Sequence, residues 1–339
     1  MDDSLRDTLP PAGSRARAPI VRWQALREGA PLHRATAHLP PPGPGEVRLR
    51  IAACALNFAD LLLLEGRYQD RVEPPIVPGI EMAGTVEAAG PGVTEPEVGA
   101  RVAVHVGHGG LAEAANVPAA LCVRVPAAVP LDVAASVLVA HGTARLALVH
   151  RAHLQAGERL VVTGAGGGSG LAAVETGAAL GAEVVAVARG ADKLEAARAA
   201  GAVHLIDAAT ADLRAEVRAL GGADVVFDTV GGAVWEALFR AARPEARLLP
   251  IGFAGEEVPQ IPANHLLVKN LTVIGLNLGG YRRFAPARLA IALGEVMAGA
   301  ADGALRVHIG ARFPLSETPA AIEALRARTV PGKIVVTSA

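Results

Sequence analysis

The stretch VVTGAGGGSGLAAVETGAAL, residues 161–180, constrains this chain more than any other. It begins as an apolar strand, ends as a small-residue helix, and carries Gly164, Gly166, Gly167, Gly168, Gly170 and Gly177 between and within them. A buried strand that turns through glycine into a helix brings backbone N–H groups and the positive end of the helix dipole to one point. That arrangement holds a pyrophosphate. The spacing of Gly164, Gly167 and Gly170 is a variant of the dinucleotide fingerprint, with Gly168 inside the turn. Taken alone, the same pattern also describes a tight strand-to-helix connection.

The unit that follows decides between them. About twenty residues beyond such a loop, folds that read a free ribose diol place Asp or Glu. Here the strand AEVVAVA runs into Arg189, Gly190 and Lys193. Two cations attract a 2′-phosphate through charge-assisted bonds of about 1.5–3 kcal/mol each, where a carboxylate would repel it. The sequence therefore predicts NADPH over NADH as the cofactor, against the plainer reading of a solvated helix start.

Around this unit the texture of the chain changes. From about Pro19 to Pro130, Pro and Gly break it into short runs such as EVRLRIAACAL and ARVAVHV, which predict antiparallel strands. From Ala140 to Leu276 the runs RLVVTG, AEVVAVA, AVHLID, ADVVFDTV, ARLLPIG and LTVIGL alternate with Ala-rich helical segments, the pattern of a parallel sheet covered on both faces. Two helical segments and a last strand, KIVVTS, follow residue 285.

Composition narrows the partners. With 32 Lys and Arg against 33 Asp and Glu, and no long block of one sign, neither a nucleic acid nor an anionic membrane surface is expected. Uncharged stretches such as Leu160–Val174 are glycine-rich or short of the roughly 20 apolar residues of a membrane span, so no transmembrane helix is predicted. Residues 1–18 are charged, Pro-rich and without an apolar h-region, and read as a disordered tail. Cys54 and Cys122 are too few for a disulfide scaffold, which fits a cytoplasmic chain with reduced thiols.

Several longer segments carry a resemblance over nearly the whole chain: LNFADLLLLEGRY (56–68), VPGIEMAGTVEAAGPGV (77–93), HGTARLAL (141–148), DVVFDTVGG (224–232), IGFAGEEVPQIPANHLLVKNLTVIGLNLGG (251–280) and GKIVV (332–336). With the glycine loop, they resemble the zinc-free quinone oxidoreductase branch of the medium-chain dehydrogenase/reductase superfamily. The resemblance implies an α/β fold in which a Rossmann doubly wound parallel sheet, residues 139–285, is inserted in a GroES-like β-barrel catalytic domain, residues 19–138 plus 286–339. It implies a homodimer through the 271–278 edge strand. It also implies hydride transfer from NADPH to a small-molecule quinone or other α,β-unsaturated carbonyl, the alternatives being an enoyl-thioester reductase or a non-catalytic NADPH-binding redox-sensing relative.

Residue by residue, the resemblance places Asn57, Asp60 and Tyr68 in the catalytic cleft; His141, where this chain departs from its relatives, is a further candidate for the cleft. Each also has a plainer reading: a cap, a buried acceptor, a loop aromatic and a structural histidine. For the cofactor it points to Thr143, Gly164, Gly167, Gly168, Gly170, Arg189, Lys193, Gly231, Phe253 and Arg328. Arg145 is a further departure near the cleft segment. No metal is expected, because the two catalytic-zinc positions of zinc alcohol dehydrogenases are Asn57 and Ile80 here, neither a thiolate nor an imidazole. Glu81 reads as a structural polar residue, and His105 and His108 as loop residues.

Overall fold

The computed structural model describes residues 19–338; the expected tail, residues 1–18, lies outside them. β1 (Ile20–Gln24) and β2 (His33–Ala37) form a two-stranded antiparallel ribbon. β3 (Glu46–Leu56) is the long central strand of the first domain, and α1 (Phe58–Leu64) starts directly after it. β4 (Glu81–Ala89), β5 (Arg101–His105), β6 (Ala114–Pro118) and β7 (Cys122–Arg124) follow. β4 covers one edge of β3, and β6 covers the Glu46–Arg50 half of the other. The Ala53–Leu56 half stays open for a strand from much later in the sequence.

α2 (Leu131–Val137), α3 (Ala140–Ala144) and a π-helical segment (Arg145–Arg151) run on as one helix. The run Leu131–Arg151 is long and apolar enough to cross a membrane, which corrects the sequence expectation that no segment reaches that length. Within the fold, 72% of its most apolar window is buried, and α2 packs on β3 and β4. That is the behaviour of a core helix.

The second domain alternates strand and helix: β8 (Arg159–Thr163), α4 (Gly168–Ala179), β9 (Glu183–Ala188), α5 (Ala191–Ala199), β10 (His204–Asp207), α6 (Leu213–Ala219), β11 (Ala223–Asp228), α7 (Gly232–Ala241), β12 (Ala242–Pro250), α8 (Ala263–Lys269) and β13 (Thr272–Val273). Its strands are all parallel, in the order β10-β9-β8-β11-β12-β13. Alternate residues enter opposite cores. Leu160, Val162, Val184 and Phe227 join the cluster containing Leu171 and Val174 of α4, while Val161, Val185 and Val226 join Trp235 and Leu238 of α7. A sheet buried on both faces explains why these strands read as continuous apolar runs. The expected 271–278 strand is shorter than its sequence suggests, pairing only at Thr272 and Val273.

α9 (Leu278–Phe284) and α10 (Pro286–Ala301) lead back toward the first domain. β14 (Ile309–Pro314), α11 (Thr318–Ala327) and β15 (Lys333–Thr337) then close it. β15 pairs antiparallel with Ala53–Leu56, filling the open half-edge of β3, and β14 lies parallel beyond it.

Candidate functional site

The order of the parallel sheet reverses between β8 and β11, the place where open α/β sheets bind ligands. Asp228 ties the two strand ends together. Its buried carboxylate accepts the Thr163 hydroxyl, the Val230 N–H and the Gly231 N–H, the last two at 3.0 Å. Burial pushes the Asp228 carboxyl upward against these bonds, which pull it down. Residues 229–231 thereby become a fixed rim facing the glycine loop.

Five of the six glycines in that loop and helix are demanded by the protein itself. A Cβ on Gly164 would strike Thr229 Oγ1; on Gly166, Lys193; on Gly168, the Lys333 side chain; on Gly170, the Gly164 carbonyl; on Gly177, Leu160. Gly167 is different. Its φ is −89°, open to any residue, and a Cβ there would meet only the Gly164 carbonyl at an ordinary 3.5 Å. It is the N-cap of α4, and no side chain caps that helix end. The side chain missing at Gly167 leaves first-turn N–H groups uncovered, as a pyrophosphate cradle requires.

Cations gather beside it. Arg189 stands exposed at the end of β9. Lys193, on α5, lies against Gly166 and donates to the Arg328 carbonyl at 2.5 Å. Burial, then the charges of Arg189 and Arg328, lower the Lys193 ammonium from its ordinary value. Three like charges gathered at one point want an anion among them. Gly231 (φ 79°) and the part-exposed Phe253 form the opposite rim, where a Cβ on Gly231 would press on Phe253 and the Glu257 carbonyl. Thr143 lies buried on α3, which packs on α4.

Across the domain boundary lies a buried polar knot. Lys333 Nζ donates to Glu81 Oε1 (2.7 Å), Asn57 Oδ1 (2.8 Å) and the Leu56 carbonyl (3.0 Å). Asn57 Nδ2 donates to Glu81 Oε1 (2.9 Å) and the Ala55 carbonyl (3.2 Å), while the other Glu81 oxygen accepts Val139 N–H (2.9 Å). Every polar atom of these three side chains is engaged. Asp60 is fully buried and accepts backbone N–H bonds from Asn57, Gly79 and Ile80 at 2.8, 2.7 and 3.1 Å. Desolvation raises its carboxyl to about 6, although the hydrogen bonds and Lys333 act the other way.

Two family models match: the alcohol dehydrogenase GroES-like domain over residues 43–127 and the zinc-binding dehydrogenase domain over residues 168–292. Quinone oxidoreductase-like protein 2 of Bos taurus is 35% identical over 300 residues, covering 87% of this chain and 86% of that protein. The chain belongs to the quinone oxidoreductase branch of the medium-chain dehydrogenase/reductase superfamily. Two solved members are similar in structure throughout. The quinone oxidoreductase of Thermus thermophilus, solved also with NADPH, has a TM-score of 0.82 at 35% identity, covering 94% of this chain and 99% of its own. The Escherichia coli quinone oxidoreductase in complex with NADPH has a TM-score of 0.86 at 25% identity, with the same coverage.

Against that family frame the site residues read from sequence separate into groups. The glycine loop, Arg189, Lys193, Gly231, Phe253 and Arg328 border the carboxyl edge of the sheet around the β8–β11 reversal. Asp60 is corrected from a cleft residue to a buried one, because both its oxygens are taken by backbone N–H groups and none of its surface reaches solvent. His141 lines a small cavity with Gly168 and Lys333, and its Nε2 lies 2.9 Å from Glu175 on α4; it makes no hydrogen bond to Asn57, Asp60 or Tyr68. Arg145 turns outward to Glu295 at 2.9 Å. His105 is the buried end of β5, bonded to the Ile80 carbonyl, rather than a loop residue. Tyr68 stays half-buried outside the knot, and burial raises its hydroxyl above the ordinary tyrosine value. Sequence reasoning gave Asp228 and Lys333 no role. The signal for Lys333 was a lone cation opening an apolar strand.

Proposed function

We propose that this protein is an NADPH-dependent, zinc-independent oxidoreductase that transfers hydride to a quinone or another α,β-unsaturated carbonyl. The observation that carries the reading is the open helix end at Gly167 with Arg189, Lys193 and Arg328 beside it. In the proposed complex the α4 N-terminus holds the pyrophosphate and the three cations hold the 2′-phosphate. NADPH supplies the hydride; the protein supplies position and polarity. Tyr68 keeps its proton at neutral pH and serves as a hydrogen-bond donor at the cleft. Asn57, Asp60, Glu81 and Lys333 act as positioning residues, since their polar atoms are spent on one another and on the backbone.

The zinc-independent part rests on donor chemistry. The positions that ligate catalytic zinc in alcohol dehydrogenases hold Asn57 and Ile80, and the nearby Glu81 carboxylate is bonded to the Lys333 ammonium. Among the described residues no group of His, Cys, Asp and Glu is placed to hold a metal ion. Turnover should survive prolonged chelation, with no stoichiometric zinc by elemental analysis.

NADPH oxidation measured with a quinone, an enone and an enoyl-CoA tests the rest. Preference for the enoyl-CoA moves the assignment to an enoyl-thioester reductase. NADPH binding without turnover of any acceptor marks a redox-sensing relative, and a preference for NADH overturns the cofactor reading. The proposed assembly is a homodimer across the β13 edge. Beside that edge, α8 exposes Leu267 and Val268, each 79% accessible. A monomeric mass by light scattering at micromolar concentration would count against it.

A further inference from the structure

Arg328 is held from both domains. Its carbonyl accepts the Lys193 ammonium of the inserted domain, and its guanidinium carbon lies 5.0 Å from the ring centroid of Phe58, the first residue of α1. Its backbone is left-handed, φ 53° and ψ 32°, at the C-cap of α11. A non-glycine residue keeps that conformation only where its surroundings favour it. Among the described residues the guanidinium has no carboxylate partner and no hydrogen-bond acceptor. A guanidinium resting on a ring face keeps its N–H groups directed outward in its own plane, free for an anion. The platform beneath it is rigid, because Phe58 follows Asn57, whose amide is locked by Lys333 and Glu81.

We propose that Phe58 is a positioning residue for cofactor selection: its ring presents Arg328 to the 2′-phosphate, so that the helix beginning beside Asn57 sets the preference for NADPH over NADH. The inference rests on Arg328 being a phosphate reader, as proposed above. It makes recognition of the phosphate on the inserted domain depend on an aromatic side chain of the other domain.

The test is the dissociation constant of each reduced cofactor, read from its fluorescence, for wild type, Phe58→Leu, Phe58→Tyr and Arg328→Ala, with a melting curve of each without cofactor. Phe58→Leu should weaken NADPH by roughly 2- to 30-fold, the range of a cation–π contact, and leave NADH within about 2-fold. Phe58→Tyr should restore NADPH affinity. Equal losses for the two cofactors, or failure of Tyr to rescue, overturn the proposal and make Phe58 a packing residue. If Arg328→Ala weakens NADPH selectively while Phe58→Leu does not, the platform is wrong and the phosphate site stands. If Arg328→Ala leaves NADPH affinity unchanged, both fall. Should Phe58→Leu fail to fold, Phe58→Met carries the same comparison.

Discussion

Lys333 Nζ lies 2.7 Å from Glu81 Oε1, with the two side chains 4% and 0% exposed. A buried ion pair of this kind adds little net stability over an apolar pair, but removing one partner strands the other. Lys333→Met should therefore cost about 3–5 kcal/mol of unfolding free energy. Lys333→Met combined with Glu81→Gln should recover part of that loss. Urea denaturation of the wild type, single and double variants measures it, and a single variant as stable as wild type would overturn the reading that Lys333 is needed to compensate Glu81.

Gly167 and Gly170 should separate ligand from fold. Gly167→Ala meets nothing in the protein and has an allowed backbone, so the melting temperature without cofactor should hold or rise. NADPH affinity should fall by roughly tenfold or more, about 1.4 kcal/mol at least. Gly170→Ala presses on the Gly164 carbonyl and Ala165 backbone and should destabilise the fold itself. Equal NADPH affinity in Gly167→Ala and wild type would remove the pyrophosphate from this helix end.

Arg189 should act on one cofactor only. Loss of one charge-assisted bond of about 1.5–3 kcal/mol is roughly a 10- to 150-fold loss in affinity. Arg189→Ala should weaken NADPH by that factor and leave NADH nearly unchanged. Matching losses for both cofactors would make Arg189 a structural cation.

Asp60 should give the apo protein a pH signature. Its folded carboxyl titrates near 6 against an ordinary 3.8, so the folded state holds the proton more tightly than the unfolded chain. The stability this contributes is full below the ordinary value and lost as pH rises through about 6. Asp60→Asn removes the titration and places an amide donor against the Asn57 N–H, costing about 1–3 kcal/mol. The gap between wild type and Asp60→Asn in urea melts should thus be larger near pH 4 than near pH 7, about the limits of this titration. A gap that widens with pH contradicts the assignment.

The parallel sheet was legible because β8, β9 and β11 at its centre are buried on both faces and bracketed by Gly, so each shows as an apolar run. β14 was not: IGARFP half-buries Ile309, Ala311 and Phe313 in alternation, but Gly310, Arg312 and Pro314 between them disguise a strand. The glycine loop and its cations were legible because they lie within one stretch of chain. The polar knot was not, since Lys333 reaches Asn57 across 276 positions and no local pattern announces such a contact. The same blindness hid the partners of Asp60 and His141, whose motif positions were clear but whose hydrogen bonds go to Gly79 and Glu175, distant in the sequence.

The pairing of β15 with β3 also orders events as the polypeptide is made. All strands of the inserted sheet lie between Arg159 and Val273, so that domain has its whole sheet in hand before β14 is synthesised. The first domain does not. Its central strand waits for a partner 277 positions downstream, with the Ala53–Leu56 edge bare and Glu81 lacking its cation throughout that interval. Non-local closure of this kind is slow, and the unpaired edge is open to wrong neighbours meanwhile. Newly made chains should be most vulnerable to aggregation at that half-edge, and folding assistance should matter most in the time between emergence of β13 and of β15.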